Sequence, residues 1–419
     1  MSSPAPPRRG GALARAAWTL ASAAIGGLLA FVALLVAGQA LGITTSLLLR
    51  GIDVWGGVRI GLLVSLAAVR TEIVVTFAPV AGLEVLPAAE LGYHLVPMAL
   101  TIGFVWLAAR AGRRATRVWP EAPVLARVVV ASAGAGVPAG IVAALAAGLA
   151  SLPLLGPFPG AQLTVGADAA SAAIWAGVLA GGGAAAGAAI EGARGRITAD
   201  VLRGGVTAYL WALGLLVIGV LVVATLEPQA TRAYVDGLRG FGPAGAALFG
   251  AHLLALPAQS ALLLVPASGS CIDLVAAGSV AARLCPWTLE ATRSAVGAIL
   301  PLPSGSVELS PTLWILAAAP PLAAFLGGHR AGASQEPRSA IVRGAGSGVV
   351  FGAIAMLGAE FASPRIVVPS LAGWLPVEIS VWSWRTAGLL SLWGVIGGAI
   401  GGWVAGRAYE APGPRPTSA

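Results

Sequence analysis

Nine stretches of about twenty mainly apolar residues recur along the chain, at 17–40, 93–109, 128–150, 169–190, 204–226, 243–266, 311–328, 341–359 and 386–406. A helix needs about 20 such residues, within a range of about 17–25, to cross the hydrocarbon core of a bilayer. Arginines stand at or near the ends of these stretches and not in their middles, as the cost of burying a guanidinium in lipid demands. Composition excludes the soluble alternatives: 57% of residues are hydrophobic and only 10% are charged, where a soluble domain carries roughly a quarter. The expected fold class is therefore all-α. It is a polytopic transmembrane helical bundle of about 8–10 crossings, built as helical hairpins. A single transmembrane domain is expected over 17–407, between short Pro-rich tails at 1–16 and 408–419 that read as cytoplasmic and disordered. The first stretch follows Arg8, Arg9 and Arg15 as a secretory signal would, but its 24 residues exceed an h-region and no A-x-A site closes it. It reads as an uncleaved helix.

All 25 basic residues are arginine, and neither Lys nor Asn occurs. Codon usage in a GC-rich bacterial genome accounts for this, so the sequence pI near 10.8 is no signal for nucleic acid. Sixteen of the arginines, with only five acids, fall in the N-terminus, after the second, fourth and seventh stretches, and in the C-terminal tail. The remaining nine share the chain with twelve acids. The positive-inside rule places the first set, and both termini, in the cytoplasm of a multi-pass plasma-membrane protein. Nine crossings would put the termini on opposite sides. Either 272–284 hides a short tenth crossing, or 243–266 enters and turns back. Both options require irregular backbone near 257–273, which is tolerated at membrane depth only inside protein or beside a polar cavity.

That region also carries the polar groups. His252 and Gln259 share one helical face, Ser260 adjoins them, Pro257 frees a carbonyl, and Ser268, Ser270 and Asp273 follow. These six form the candidate polar site, because unwound backbone beside polar side chains is how transporters hold small solutes and ions. The competing reading is that these groups only satisfy neighbouring helices. Cys271 and Cys285 are the only thiols. If 272–284 is helical they stand about 20 Å apart, too far for a bridge. Motifs for zinc hydrolysis, phosphate binding and redox chemistry are absent, so neither catalytic residues, metal nor cofactor is expected.

Two repetitive features concern organisation. Strand-like pieces at Leu83-Glu84-Val85, Leu163-Thr164-Val165, Val307-Glu308-Leu309 and Val377-Glu378-Ile379 each precede an inward helix, as in a repeat of helical hairpins. Glycines four apart, such as Gly136 and Gly140, Gly177 and Gly181, Gly344, Gly348 and Gly352, or Gly394, Gly398 and Gly402, make flat faces. Such faces serve helix packing within the chain or a homo-oligomer.

The run His94-Leu95-Val96-Pro97-Met98-Ala99-Leu100-Thr101, leading to Ala109-Arg110-Ala111-Gly112-Arg113-Arg114, is similar to an actinobacterial polytopic membrane family. That family includes the permease-like cell-division protein PerM. Leu256-Pro257-Ala258, the turn at 266–270 and Pro301-Leu302-Pro303 occur in similar order. The resemblance implies a plasma-membrane protein that supports envelope growth or division. Two functions are expected from different classes. The first is a non-enzymatic protein acting through partner binding in the membrane, with the bilayer and division or envelope proteins as its partners and no nucleic acid. The alternative is a small-solute or ion permease with its site at the 257–273 break.

Overall fold

The computed structural model describes residues 11–48, 53–78, 89–94, 96–155, 162–193, 197–240, 242–276, 279–286, 288–291, 305–333, 335–370, 373–381 and 383–410. Helices dominate them, since a helix satisfies its own backbone where lipid offers no hydrogen bonds. The contacts divide the chain into two compact units, Met1–Arg194 and Gly195–Ala419. Unit 1 contains α1 (Gly11–Leu48), α2 (Val54–Ala68), β1 (Ile73–Ala78), β2 (Ala89–His94), α3 (Met98–Thr116), α4 (Val124–Leu149), β3 (Leu152–Leu155), β4 (Gln162–Ala167) and α5 (Ala169–Gly192). Unit 2 opens with α6 (Ile197–Leu226), α7 (Pro228–Gly240) and α8 (Pro243–Ala267). Then come β5 (Ile272–Ala276), β6 (Ser279–Cys285), β7 (Thr288–Ala291), β8 (Gly305–Glu308) and a 3₁₀ stretch, Pro311–Ala318. It leads into α9 (Ala319–Gly332), α10 (Pro337–Ala362), β9 (Arg365–Ser370), β10 (Gly373–Val381) and α11 (Ser383–Glu410). Residues 11–16, assigned to a tail from the sequence, are helical; 1–10, 411–419, Leu83-Glu84-Val85 and Pro301-Leu302-Pro303 lie outside the described residues.

The two units follow one plan. In unit 1, β4 pairs antiparallel with both β3 and β1, giving the order β3-β4-β1-β2. In unit 2, β10 pairs antiparallel with β9 and β5, and the order is β9-β10-β5-β6-β7-β8. The helices correspond through their glycines. Gly26 and Gly27 of α1 lie against Ala111 of α3 and Ala135 of α4; Gly204 and Gly205 of α6 lie against Ala331 of α9 and Ser347 of α10. Gly136 and Gly140 on α4, with Ala150-Ser151 after it, recur at one constant spacing as Gly348, Gly352 and Ala362-Ser363 around α10. The hairpin repeat read from the strand-like pieces is thus part of a larger one, the whole unit.

These contacts also use up the glycine faces. A side chain built on Gly348 would run into the backbone of Gly394, and one on Gly344 into that of Gly398; Gly136 similarly faces Gly177 and Gly181. Between helices that face lipid there is no hydrophobic gain on association, so this close backbone approach supplies the dispersion contacts that hold each unit together.

Each unit has an arginine end and a strand end. In unit 1, Arg15 bonds Glu121 at 2.7 Å and Arg117 bonds Glu191 at 3.0 Å, tying the start of α1, the α3–α4 connection and the end of α5. At the other end the Ala68 carbonyl accepts from Thr101 Oγ1, and the Glu72 carbonyl from the Asp168 amide at 2.9 Å. In unit 2, Arg343 bonds Asp200 where α10 and α6 begin, while Glu227 after α6 accepts from Ser310 and Thr312 at the start of the 3₁₀ stretch. Four helices run end to end in each unit: α1, α3, α4 and α5, and then α6, α9 with its 3₁₀ stretch, α10 and α11. The second helices do not. Gln39 Nε2 donates to the Val58 carbonyl at 3.0 Å and Ser65 Oγ to that of Leu34, so α2 folds back along the last third of α1.

The counterpart of α2 is α8, and it bears on the two options left open by the sequence. Eight helices among the described residues are long and apolar enough to cross a membrane, and α8 is one of them. Yet α7 carries the chain from the end of α6 directly into α8, and the rings of Tyr234 and His252 meet edge-on at 5.7 Å. At its far end α8 delivers the chain to β5, beside Val381 and Ala359. α7 and α8 thus pair as a helical hairpin whose far end lies at the strand end, an arrangement that favours the reading in which 243–266 turns back. Residues 272–284 are not a tenth crossing. They form the β5–β6 hairpin, which brings Cys271 and Cys285 to a Cα separation of 4.3 Å and into a disulfide. The expected 20 Å separation assumed a helix; a hairpin returns its two ends to the same place.

Candidate functional site at the end of alpha 8

The break expected near 257–273 falls at Ser268. Pro257 and Pro266 are accommodated inside α8, and the helix ends because Gly269 takes a φ of +93°, a conformation open to a residue without Cβ. The amide of Ser270 then bonds the Val265 carbonyl at 3.1 Å and that of Gly269 the Pro266 carbonyl at 3.0 Å. This is the Schellman arrangement, which returns the last carbonyls of a helix to its own turn. Ser268 Oγ donates to the Val265 carbonyl at 2.7 Å, and the Ser268 carbonyl accepts from Trp393 Nε1 at 3.2 Å. Thr386 Oγ1 donates to Ser270 Oγ at 3.0 Å. Ser268 and Ser270 are buried.

Asp273 is buried too, although it is an acid on a strand. Its carboxylate takes both arms of the Arg283 guanidinium across the β5–β6 pair, at 2.7 and 3.1 Å. The hydrogen bond and the charge of Asp273 push the Arg283 pKa above its already high ordinary value. One residue before Asp273, the chain passes through Ile272 from the Cys271–Cys285 bridge. Cap, fork and bridge therefore lock the same short segment.

The six residues marked from the sequence do not converge. Ser268, Ser270 and Asp273 share this segment, and Ser260 is buried about two turns up α8. Gln259 is half-buried. His252 is exposed beside Tyr234, about 22 Å before the end of the helix at 1.5 Å per residue. The partners Trp393, Thr386 and Arg283 escaped the sequence reading. For Arg283 a signal existed: ten residues from Asp273 with turn-prone Gly278 between, it fits a hairpin pair. Two grooves among the described residues lie in unit 1, away from α8: one of about 490 Å³ between α1 and α3, the other of about 850 Å³ between α4 and α5. Among the described residues no three of His, Cys, Asp and Glu gather in a group that could hold a metal ion. Comparison with family models, with curated proteins and with solved structures finds no match.

Proposed function

We propose that this integral membrane protein is non-enzymatic and works by binding partner proteins of the cell-envelope or cell-division machinery. One observation carries the choice over a permease. A transporter needs open backbone and available polar groups at its helix break, whereas the break after α8 is closed by its own carbonyls and by the Asp273–Arg283 fork. The surface on offer lies elsewhere. No residue of α7 is buried, and the α7–α8 hairpin presents Arg232, Tyr234, Asp236 and Arg239 at the strand end of unit 2. Orientation follows from two independent arguments. The arginine ends take the cytoplasmic side by the positive-inside rule, and a disulfide at the strand end of unit 2 fits the oxidising, extracytoplasmic side. The host membrane in this reading is the bacterial plasma membrane.

The test is photo-crosslinking in living cells from a probe placed at Ala233 of α7, with a second probe at the exposed Leu145 of α4 as a control. Discrete adducts with envelope or division proteins from Ala233 alone support the reading. If neither probe yields an adduct and the reconstituted chain instead passes an ion or small solute, with flux lost in Gln259→Ala, the permease alternative replaces it.

A further inference from the structure

The groove between α1 and α3 of unit 1 has an apolar length and a charged end. Ile25, Leu29 and Ala33 line it from α1, and Arg110 and Arg114 stand toward one end with Ser22. From Ser22 to Ala33 the helix rises about 16 Å, close to one leaflet of a hydrocarbon core roughly 30 Å thick. Both guanidiniums are exposed, and neither enters an ion pair among the described residues. Arg110 lies 5.5 Å from the ring centroid of exposed Trp106, the kind of residue that settles at headgroup level.

Unit 2 shows what this end looks like when the chain supplies its own anion. The equivalence of Gly26-Gly27 with Gly204-Gly205 puts Asp200 at the position of Ser22. Its carboxylate bonds Arg343 and lies 3.9 Å from Arg203. Unit 1 has a hydroxyl there and two guanidiniums without a carboxylate.

We infer that the α1–α3 groove binds one anionic phospholipid, its phosphate between Arg110 and Arg114 and an acyl chain along Ile25, Leu29 and Ala33. Guanidinium forks match phosphate oxygens, and basic pockets between membrane helices at the cytoplasmic side select such headgroups. The inference requires only that the helices sit in a bilayer; it stands or falls apart from the choice of protein partner.

Native mass spectrometry of the full chain, extracted from nanodiscs of phosphatidylcholine with a minor share of phosphatidylglycerol, counts the lipid retained. One phosphatidylglycerol per chain is expected to persist at collision energies that strip phosphatidylcholine. Arg110→Gln with Arg114→Gln should weaken retention by about tenfold or more. Ser22→Asp, which copies the carboxylate of unit 2, should do the same, while Ser22→Asn and Arg113→Gln retain the lipid. Should the double variant misfold, the Ser22→Asp and Ser22→Asn pair decides alone. Equal retention of the two lipids, wild-type retention in Ser22→Asp, or displacement of the lipid by millimolar inorganic phosphate would overturn the inference.

Discussion

Unit 1 and unit 2 place the same glycines against the same neighbours, but they differ at their strand ends. In unit 1 a 15-residue α2 folds back on α1, and four short strands follow among the described residues. Unit 2 inserts the 13-residue α7, lengthens the returning helix to 25 residues, adds two strands and closes a hairpin with a disulfide. Between α1 and α2 only residues 49–53 are available, too few for a counterpart of α7. What is common to both copies is frame, held by close backbone packing. What distinguishes unit 2 is exposed or locked structure at one end.

The largest effect should come from the shared frame. Gly348→Val forces a side chain against the Gly394 backbone, and neither helix can yield without losing its other contacts; a loss of about 3 kcal/mol or more is expected. Gly136→Val should cost about 1–3 kcal/mol at the corresponding place in unit 1. Gly182→Val, with nothing within 4 Å of its new Cβ, should stay within about 0.5 kcal/mol. Thermal melting in detergent ranks the three, and equal tolerance of all three would remove the case for a common glycine frame.

Next come the features confined to unit 2. Reducing the Cys271–Cys285 bridge, which spans 14 residues, should release about 3 kcal/mol of local stability. Hydrogen exchange should then accelerate in β5 and β6 while β1 and β4 keep their protection; acceleration in both units would mean the bridge is not a local lock. Asp273→Asn removes the charged side of the fork and should cost about 1–3 kcal/mol, read as a lower melting temperature. The smallest effect is expected at His252. It is exposed, so His252→Ala should change stability by less than about 0.5 kcal/mol; a larger loss would make the His252–Tyr234 contact an anchor of the α7–α8 hairpin.

The helices were legible in the sequence because a bilayer fixes how many apolar residues a helix must offer. All nine apolar stretches lie mainly on helices in the structure, 93–109 entering α3 from the end of β2 and 311–328 opening as 3₁₀. Their role was less legible, since α8 is as apolar as a crossing helix, while its pairing with α7 is that of a returning one. Hydropathy reports the surroundings of a segment and not the side on which its ends emerge. A break within 257–273 was expected from Pro266, Gly269 and the serines, but the partners of that turn, Trp393 and Thr386, lie more than a hundred residues away. Arg283 stayed hidden because β5 and β6, rich in Ala, Val and Leu, read as a short apolar crossing. Reading that stretch as helix also concealed the disulfide. The duplication was visible only faintly, because its constant elements are single glycines in a chain that holds 58 of them.

The return of α8 is the claim on which the even number of crossings, the orientation and the exposed hairpin all depend. Cysteine placed at Gly240, between α7 and α8, tests it with the native disulfide left intact. In intact spheroplasts a membrane-impermeant maleimide should label Gly240→Cys, while Arg117→Cys and Arg338→Cys at the arginine ends react only after permeabilisation. Gly240→Cys shielded together with those two would make α8 a crossing and contradict the account.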